Sequence, residues 1–510
     1  MLAAPVTGCL NSDSSNSDID NGQPNIVYIL ADDLGYGELG AYGQQKIETP
    51  NIDKLAAEGM IFTQHYAGSP VCAPSRYMLM TGKHPGNAYI RGNDGMPERG
   101  DVWDFEAMRK DPGLEGQRPI PDSTYTMAEM LSEAGYRTAA IGKWGLGGPG
   151  TEGHPNEQGF DLFYGYLCQR QAHNYYPDHL WKNRDRVFLD NIVQNPHATL
   201  PDSLDPYDPD SYKKYQEQPD YAPSLMQQEL LSFIEESKNA PFFLYFASPI
   251  PHVSLQAPDR WVRYYRQKFG DELPYTGDRG YVPNRYPRAT YAAMISYLDE
   301  QVGDLVEKLK QEGIYGNTLI IFSSDNGPTY NGGTQPEFFN SAGPFNNSYG
   351  WTKGFTHEGG IRVPMISHWP GVIEAGTETD HISAFWDVMP TLADIIGREL
   401  PGATDGISFA PLLRGNVDRQ ITHDFLYWEF PAYGGQQAVR MGKWKGIRKN
   451  IVKEGNMDIA LYNLENDLRE EHDVAAQHPE VVRKIQEIMR QEHSRANVET
   501  FRMNALNGSN

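Results

Sequence analysis

The sequence predicts an α/β fold: a large, mostly parallel sheet sandwiched by helices, followed by a small C-terminal subdomain of antiparallel sheet and helix. Three observations carry the prediction. Candidate helices alternate with short apolar strands, the rhythm of a doubly wound sheet. The strands are nearly continuous apolar runs, as expected of strands buried on both faces. After residue 415 the rhythm gives way to short strands of another kind.

The run Asn25-Ile26-Val27-Tyr28-Ile29-Leu30 is the clearest strand, and it leads to Asp32-Asp33 and a Gly-rich loop. Residues 49–59 follow as a helix, with Pro50 near its start and Gly59 as its stop. A helix over 126–134, ended by Gly135, leads into a strand over 137–141. A third helix, 223–238, leads into the strand 242–246, and a long fourth, 291–312, into 318–322. Segments 200–223 and 274–287 break the rhythm and read as surface insertions able to shape a cleft. Residues 439–446 and 461–464 read as short antiparallel strands, and 478–492 as a closing amphipathic helix. The predicted division is 1–22 for a signal remnant and tether, 23–415 for the main domain and 416–510 for the subdomain.

At 510 residues a sizeable core is assured, and 39% hydrophobic residues exclude global disorder. No apolar run approaches the ~20 residues of a membrane span. The 44 Lys and Arg against 67 Asp and Glu leave a net charge of −23. That charge argues against nucleic-acid binding, which needs a basic footprint. It would also oppose an anionic substrate unless cations gather locally.

Each core strand is followed by polar chemistry: Asp32 and Asp33, then Lys143, then His252, then Asp325 and Asn326. In open α/β sheets ligands bind outside the carboxyl ends of the strands, so these residues should converge. Singly, an Asp after a strand is most often a cap; four such strand ends together point to a site. Asp32, Asp33, Asp325 and Asn326 are hard oxygen donors that suit Ca²⁺, with Mg²⁺ as the alternative, rather than zinc. Without a cation the three carboxylates would repel one another.

Three cysteines are too few for a disulfide framework. Cys168 reads as a small hydrophobe. Val6-Thr7-Gly8-Cys9 resembles the lipobox of bacterial lipoproteins, followed by a Ser/Asn/Asp-rich tether. The resemblance implies an exported protein of the periplasm or cell envelope, with a lipid anchor at Cys9.

Cys72 opens Cys72-Ala73-Pro74-Ser75-Arg76, followed by Thr81-Gly82. This segment resembles the signature of the formylglycine-dependent sulfatases. Gly142-Lys143-Trp144, residues 248–252, Asp325-Asn326-Gly327 and the blocks at 353–354 and 358–364 resemble later sulfatase blocks in the same order. The resemblance spans roughly residues 24–492 and implies an alkaline phosphatase-like fold and a sulfuric ester hydrolase. It implies that a maturation enzyme oxidises Cys72 to formylglycine, and that the hydrated aldehyde serves as nucleophile and metal ligand. Arg76 would stabilise that group, Lys143 and Lys353 would sit over the sulfate oxygens, and His252 would protonate the leaving oxygen with help from Lys353. Where the family often reads Gly-Lys-x-His, this chain has Gly145, and His84 or His173 are the candidate substitutes.

The segment from Cys168 to Trp181 is dense in Arg, His, Tyr and Trp. Arg91, Arg170, Gln171, His173 and Trp351, with Tyr89 and Asn93, are candidate contacts to a sulfated oligo- or polysaccharide, such as a carrageenan-type galactan or a galactosamine-containing glycan. Two other readings stay open: a phosphodiesterase or phosphonate monoester hydrolase of the same superfamily, and a catalytically silent glycan-binding lipoprotein.

Overall fold

The computed structural model describes residues 23–507. Its main sheet has eleven strands: β1 (Asn25–Asp32), β2 (Met60–Tyr66), β3 (Arg137–Lys143), β4 (Leu162–Tyr166), β5 (His179–Lys182), β6 (Asp185–Phe188), β7 (Phe242–Pro251), β8 (Thr318–Ser324), β9 (Arg362–His368), β10 (Thr377–Thr379) and β11 (Ser383–Ala384). The strand order is β10-β2-β9-β8-β1-β7-β3-β4-β5-β6, with β11 pairing β2. The five central strands, β8-β1-β7-β3-β4, run parallel. Antiparallel β9 and the β5–β6 hairpin flank them.

The unbroken apolar run of β1 reflects burial on both faces. Ile26, Tyr28 and Leu30 enter one core, and Val27, Ile29 and Ala31 the other. Helices Cys72–Thr81, Met127–Glu133 and Val388–Ile395 cover the first face. Helices Pro50–Ala57, Ala222–Ser237 and Pro287–Gln311 cover the second. The Met127–Glu133 helix starts in a capping box in which Thr126 and Glu129 satisfy each other's backbone donors. Helix Pro287–Gln311 begins four residues before its predicted start, because Pro287 supplies the preset φ of a first helical turn.

The main-sheet strands β2, β4, β5, β6, β9, β10 and β11 go beyond the predicted set. β2 and the hairpin mix polar and apolar residues because they are only partly buried, and β9 lies inside a block read for its chemistry alone.

A second, four-stranded antiparallel sheet comprises β12 (Leu426–Phe430), β13 (Gln436–Met441), β14 (Trp444–Lys449) and β15 (Ala460–Asn463). Helix Pro479–Glu492 packs on one face through Ile485, Ile488 and Met489. The other face meets Tyr66 and Trp386 of the main body. Buried Glu358 ties the two parts, accepting from Tyr66 at 2.8 Å and from Lys445 at 2.7 Å. Cys9 and its tether lie outside the described residues, among which no helix is long and apolar enough to cross a membrane.

Candidate active site

Parallel register sets the site. Ala31 of β1 pairs with Ser324 of β8, and Asp32 with Pro251 of β7, so the segments leaving three strands meet at one edge. The Asp33 amide donates to Asp325 Oδ1 at 3.1 Å, and Leu34 donates to Ser324 Oγ at 2.9 Å, which fixes both loops.

Cys72 is the first residue of the ten-residue helix Cys72–Thr81, whose residues are all buried. Its Sγ therefore sits at a helix N-terminus, where unpaired N–H groups favour negative charge. Gly82, in the left-handed region at φ 64°, ends the helix by donating to the Met78 carbonyl. Sγ lies 3.4 Å from Asp32 Oδ1, 3.5 Å from Lys143 Nζ and 3.7 Å from Lys353 Nζ. Burial pushes the thiol pKa up to about 12, so an unmodified Cys72 stays protonated and is a poor nucleophile.

One turn on, Arg76 is fully buried and directed by its partners. Nε and Nη2 donate to Asp325 Oδ2 at 3.0 and 2.8 Å, and Nη1 donates to the Lys143 carbonyl. Lys143 Nζ contacts Asp32 Oδ2 at 2.5 Å, and Lys353 Nζ contacts Asp33 Oδ1 at 2.6 Å. These charges decide ionisation. Burial opposes the charge on Asp32, but Lys143, His252 and Arg76 outweigh it and hold the carboxyl well below its ordinary range. Burial raises Asp33 against the pull of Lys353. Burial and the charge of Asp32 raise Asp325 to about 6.

The residues fit a hard divalent cation. One ligand atom each from Asp32, Asp33, Cys72 and His252 lies within 4.8 Å of the others, all buried. Asn326 Nδ2 is spent on Asp33 Oδ1 and the Gly327 carbonyl, while its Oδ1 is buried with no hydrogen-bond partner. An orphaned amide oxygen beside carboxylates is a donor set for Ca²⁺ or Mg²⁺.

His252 follows β7. Tyr175 Oη donates to its carbonyl at 2.6 Å, the ring Nδ1 meets the Val253 carbonyl at 2.5 Å, and Nε2 faces Asp33 Oδ2 at 3.7 Å. Burial, with Lys353 and Lys143 nearby, holds its pKa well below the usual value. His173 stacks on it with centroids 5.1 Å apart. Both line a cavity of about 510 Å³ that also takes in Lys353, Arg170, Gln169 and Asn93. Tyr281, from the 274–287 insertion, walls it, and the neighbouring Val282 is anchored by Leu200, Tyr212 and Tyr215 of the 200–223 insertion. Phe430 and Tyr433 close it from the second sheet.

The structure brings Cys72, Arg76, Lys143, His252, Lys353, Asp32, Asp33, Asp325 and Asn326 together, and places Arg170 and His173 on the cavity wall. Three predicted sugar contacts, Arg91, Trp351 and Tyr89, do not line the cavity. Arg91 is buried in an ion pair with Glu429 and donates to the Gly86, Ala88 and Ser494 carbonyls, which leaves it no reach to the cavity. Trp351 turns toward the second sheet, stacking near His357 at 5.2 Å and carrying Lys449 over its ring. Gln171 lines a neighbouring cavity instead. Tyr89 packs against the core. His84 is no substitute at Gly145: its Nε2 is 3.1 Å from Glu492, and its ring lies against Tyr427. Gln169 fills the space at Gly145, where an added Cβ would fall 2.7 Å from the Gln169 amide nitrogen. Gln169 and Tyr281 lie in segments the sequence marks, but only tertiary placement picks them out from their neighbours, and nothing local marks Tyr433.

Comparison with known proteins agrees with this geometry. The family described as Sulfatase matches residues 24–398, and the C-terminal region of N-sulphoglucosamine sulphohydrolase matches 347–497. Human arylsulfatase A is 32% identical over 436 residues, covering 83% of this chain and 74% of its own. The N-acetylgalactosamine-6-O-sulfatase of Bacteroides thetaiotaomicron is 29% identical over 553 residues, covering 95% and 96%. The solved structure of Ps i-CgsB in complex with k-i-k-neocarrahexaose superposes with a TM-score of 0.71 at 29% identity, covering 92% of this chain and 93% of that one. The phosphonate monoester hydrolase of Agrobacterium radiobacter, at 20% identity and a TM-score of 0.63, shares the fold.

Proposed function

The chain belongs to the sulfatase family and is a sulfuric ester hydrolase, and on that premise we propose that it removes O-sulfate from a sulfated galactan or galactosamine-containing glycan. The observation that carries the glycan reading is the cavity over Cys72. It places Lys353 and His252 beside the nucleophile position, and surrounds them with amides and aromatic walls on a scale that admits a sugar unit. Relatives named for N-acetylgalactosamine sulfate, and a fold neighbour solved with a carrageenan-type oligosaccharide, support the same class.

Formylglycine at position 72 would supply a hydroxyl nucleophile and, by re-forming its aldehyde, an exit for sulfate. Asp32, Asp33, Asp325 and Asn326, with residue 72, would hold a divalent cation, Ca²⁺ by our reading, which would supply positive charge to the sulfuryl group. The chain's own groups do the rest. Arg76 fixes Asp325 and lies 3.4 Å from Asp32, the carboxylate beside residue 72, and so carries charge within reach of a hydrated side chain. Lys143 and Lys353 stand beside Sγ and stabilise charge on sulfuryl oxygens in a site largely closed to water. His252 lines the cavity; an anionic ester there raises its proton affinity, so the imidazole can carry a proton to the leaving oxygen. His173 stacks on that imidazole, and Gln169 lines the same cavity. Among the described residues one such acidic cluster is present, which favours a single-metal sulfatase over a superfamily member with more metal ligands.

Sulfate release from defined sulfated monosaccharides and oligosaccharides tests the reading; activity confined to aryl sulfates overturns it. Envelope anchoring rests on the Cys9 motif, and metabolic labelling with a radioactive fatty acid checks it: label on Cys9 supports the anchor, and its absence removes it.

A further inference from the structure

A second cavity of about 450 Å³ adjoins the one over Cys72, and Trp103 lines both. The Trp103 side of the first cavity is firmly held. The Arg170 guanidinium stands 5.4 Å from the indole centroid, and the His173 ring 6.1 Å away. Yet Trp103 is 54% exposed, a large apolar ring left open on a wall between two concavities. Such a ring is a natural seat for the C–H face of a sugar.

The second cavity is lined by hydrogen-bonding groups and by an acidic balance. Gln171 and Asn174 offer amides suited to hydroxyl groups. Asp104, Glu106 and Asp178 line it with one cation, Arg109; Asp178 pairs with Arg109 at 3.0 Å and with His179 Nδ1 at 2.8 Å, and Asp104 and Glu106 are exposed. Lys110, drawn to Glu106 at 3.1 Å, leaves the balance acidic. The first cavity is the reverse: Lys353 and Arg170 face it, while Asp94 is tied to Arg118 at 2.6 Å. An anionic group is drawn to the first cavity and repelled from the second.

We propose that the second cavity is a subsite for an uncharged sugar unit adjoining the sulfated one, with Trp103 as the stacking platform between them. This rests on the glycan-sulfatase reading and adds to it the length of the substrate and the charge of its neighbouring unit.

The test uses the matured, Ca²⁺-loaded enzyme and the sulfated galactose or N-acetylgalactosamine that it desulfates best. kcat/KM for sulfate release is compared for that monosaccharide, for an oligosaccharide joining the same unit to a neutral sugar, and for one joining it to a uronic acid. The neutral-neighbour oligosaccharide is expected to exceed the monosaccharide at least tenfold and to exceed the uronate form. Trp103→Ala, and independently Val193→Trp, which fills the second cavity from a residue 40% exposed, should each cut the oligosaccharide-to-monosaccharide ratio by about tenfold. A wild-type ratio near one, a preference for the uronate neighbour, or a ratio unmoved in the folded variants overturns the subsite. If no glycan releases sulfate, the underlying reading fails and the subsite fails with it; release with no length preference defeats the subsite alone.

Discussion

Truncating Lys353 to alanine isolates the charge that the site brings to the sulfuryl group. Its Nζ lies 3.7 Å from Cys72 Sγ and 2.6 Å from Asp33, on a side chain 13% exposed. Two unit charges about 4 Å apart interact by about 4 kcal/mol at the effective dielectric of a protein site. Measured losses for single groups that stabilise developing charge run at about 3 to 4 kcal/mol. At about 1.4 kcal/mol per decade, Lys353→Ala should lower kcat/KM by two to three orders of magnitude. Because charge on the leaving oxygen develops in the transition state, most of the loss should fall on kcat rather than KM. Lys353→Arg keeps the charge on a longer, forked head and should recover only part. Initial rates of sulfate release are compared in preparations matched for aldehyde content at residue 72, metal content and thermal midpoint. A loss below threefold in Lys353→Ala so matched would refute the role, and a loss borne wholly by KM would reassign Lys353 to ground-state binding.

Three further outcomes are expected. Cys72→Ser, shown by peptide mass to lack the aldehyde, should lose turnover entirely, and the matured wild-type chain should be lighter by about 18 Da than its sequence, since SH and one H are replaced by O; wild-type rates in that variant would sink the nucleophile assignment. Chelation should abolish activity and lower the thermal midpoint, and returning Ca²⁺ at a hundred times its Kd should restore stability by about 2.7 kcal/mol; full activity after exhaustive chelation, with no metal found by elemental analysis, would dismiss the cation site. Glu38 is buried, accepts from Gly35 at 2.7 Å and from Tyr291 at 2.6 Å, and burial raises it to about 7. The folded state thus binds its proton more tightly than the unfolded chain, so stability falls as pH rises from about 4.5 to about 7, by something on the order of 3 kcal/mol. Glu38→Gln should flatten that slope in urea titrations run across the range, and an unchanged slope would show that the burial cost is not realised.

How much of this was legible follows the range of the forces involved. β1 could be read because burial on both faces forces an unbroken apolar run, and Asp32, Lys143 and Asp325 because strand ends of a parallel sheet face one edge. The cavity walls could not. Arg91 looked like a free sugar contact because its partner, Glu429, stands 338 residues away and across a second sheet. His84 is answered by Glu492, farther still. Trp103 sits in a stretch without motif or periodicity, and its meaning comes from two concavities meeting beneath it. Local sequence reports the scaffold and its strand-end chemistry; selectivity lives in loop placement, which no local pattern encodes.

The net charge of −23 and an anionic substrate are reconciled by where charge sits. In the site, the carboxylates of Asp32, Asp33 and Asp325 face the cations of Arg76, Lys143 and Lys353, so the cluster is close to neutral by itself. If the carboxylates and Asn326 held a divalent cation, that neutrality would become a surplus of two positive charges, and Lys143 and Lys353, which pair with Asp32 and Asp33, would be freer to turn their ammonium groups to the ester. Neutrality lets the cluster fold in a buried place where unpaired charges cost several kcal/mol each; a bound ion would supply the surplus. Surface acidity is screened beyond ~10 Å in ordinary salt, so it acts on the approach of an anionic substrate and leaves the bound ester to the cluster. Selectivity against a charged neighbouring unit would then fall to the second cavity next to Trp103, whose lining carries Asp104, Glu106 and Asp178.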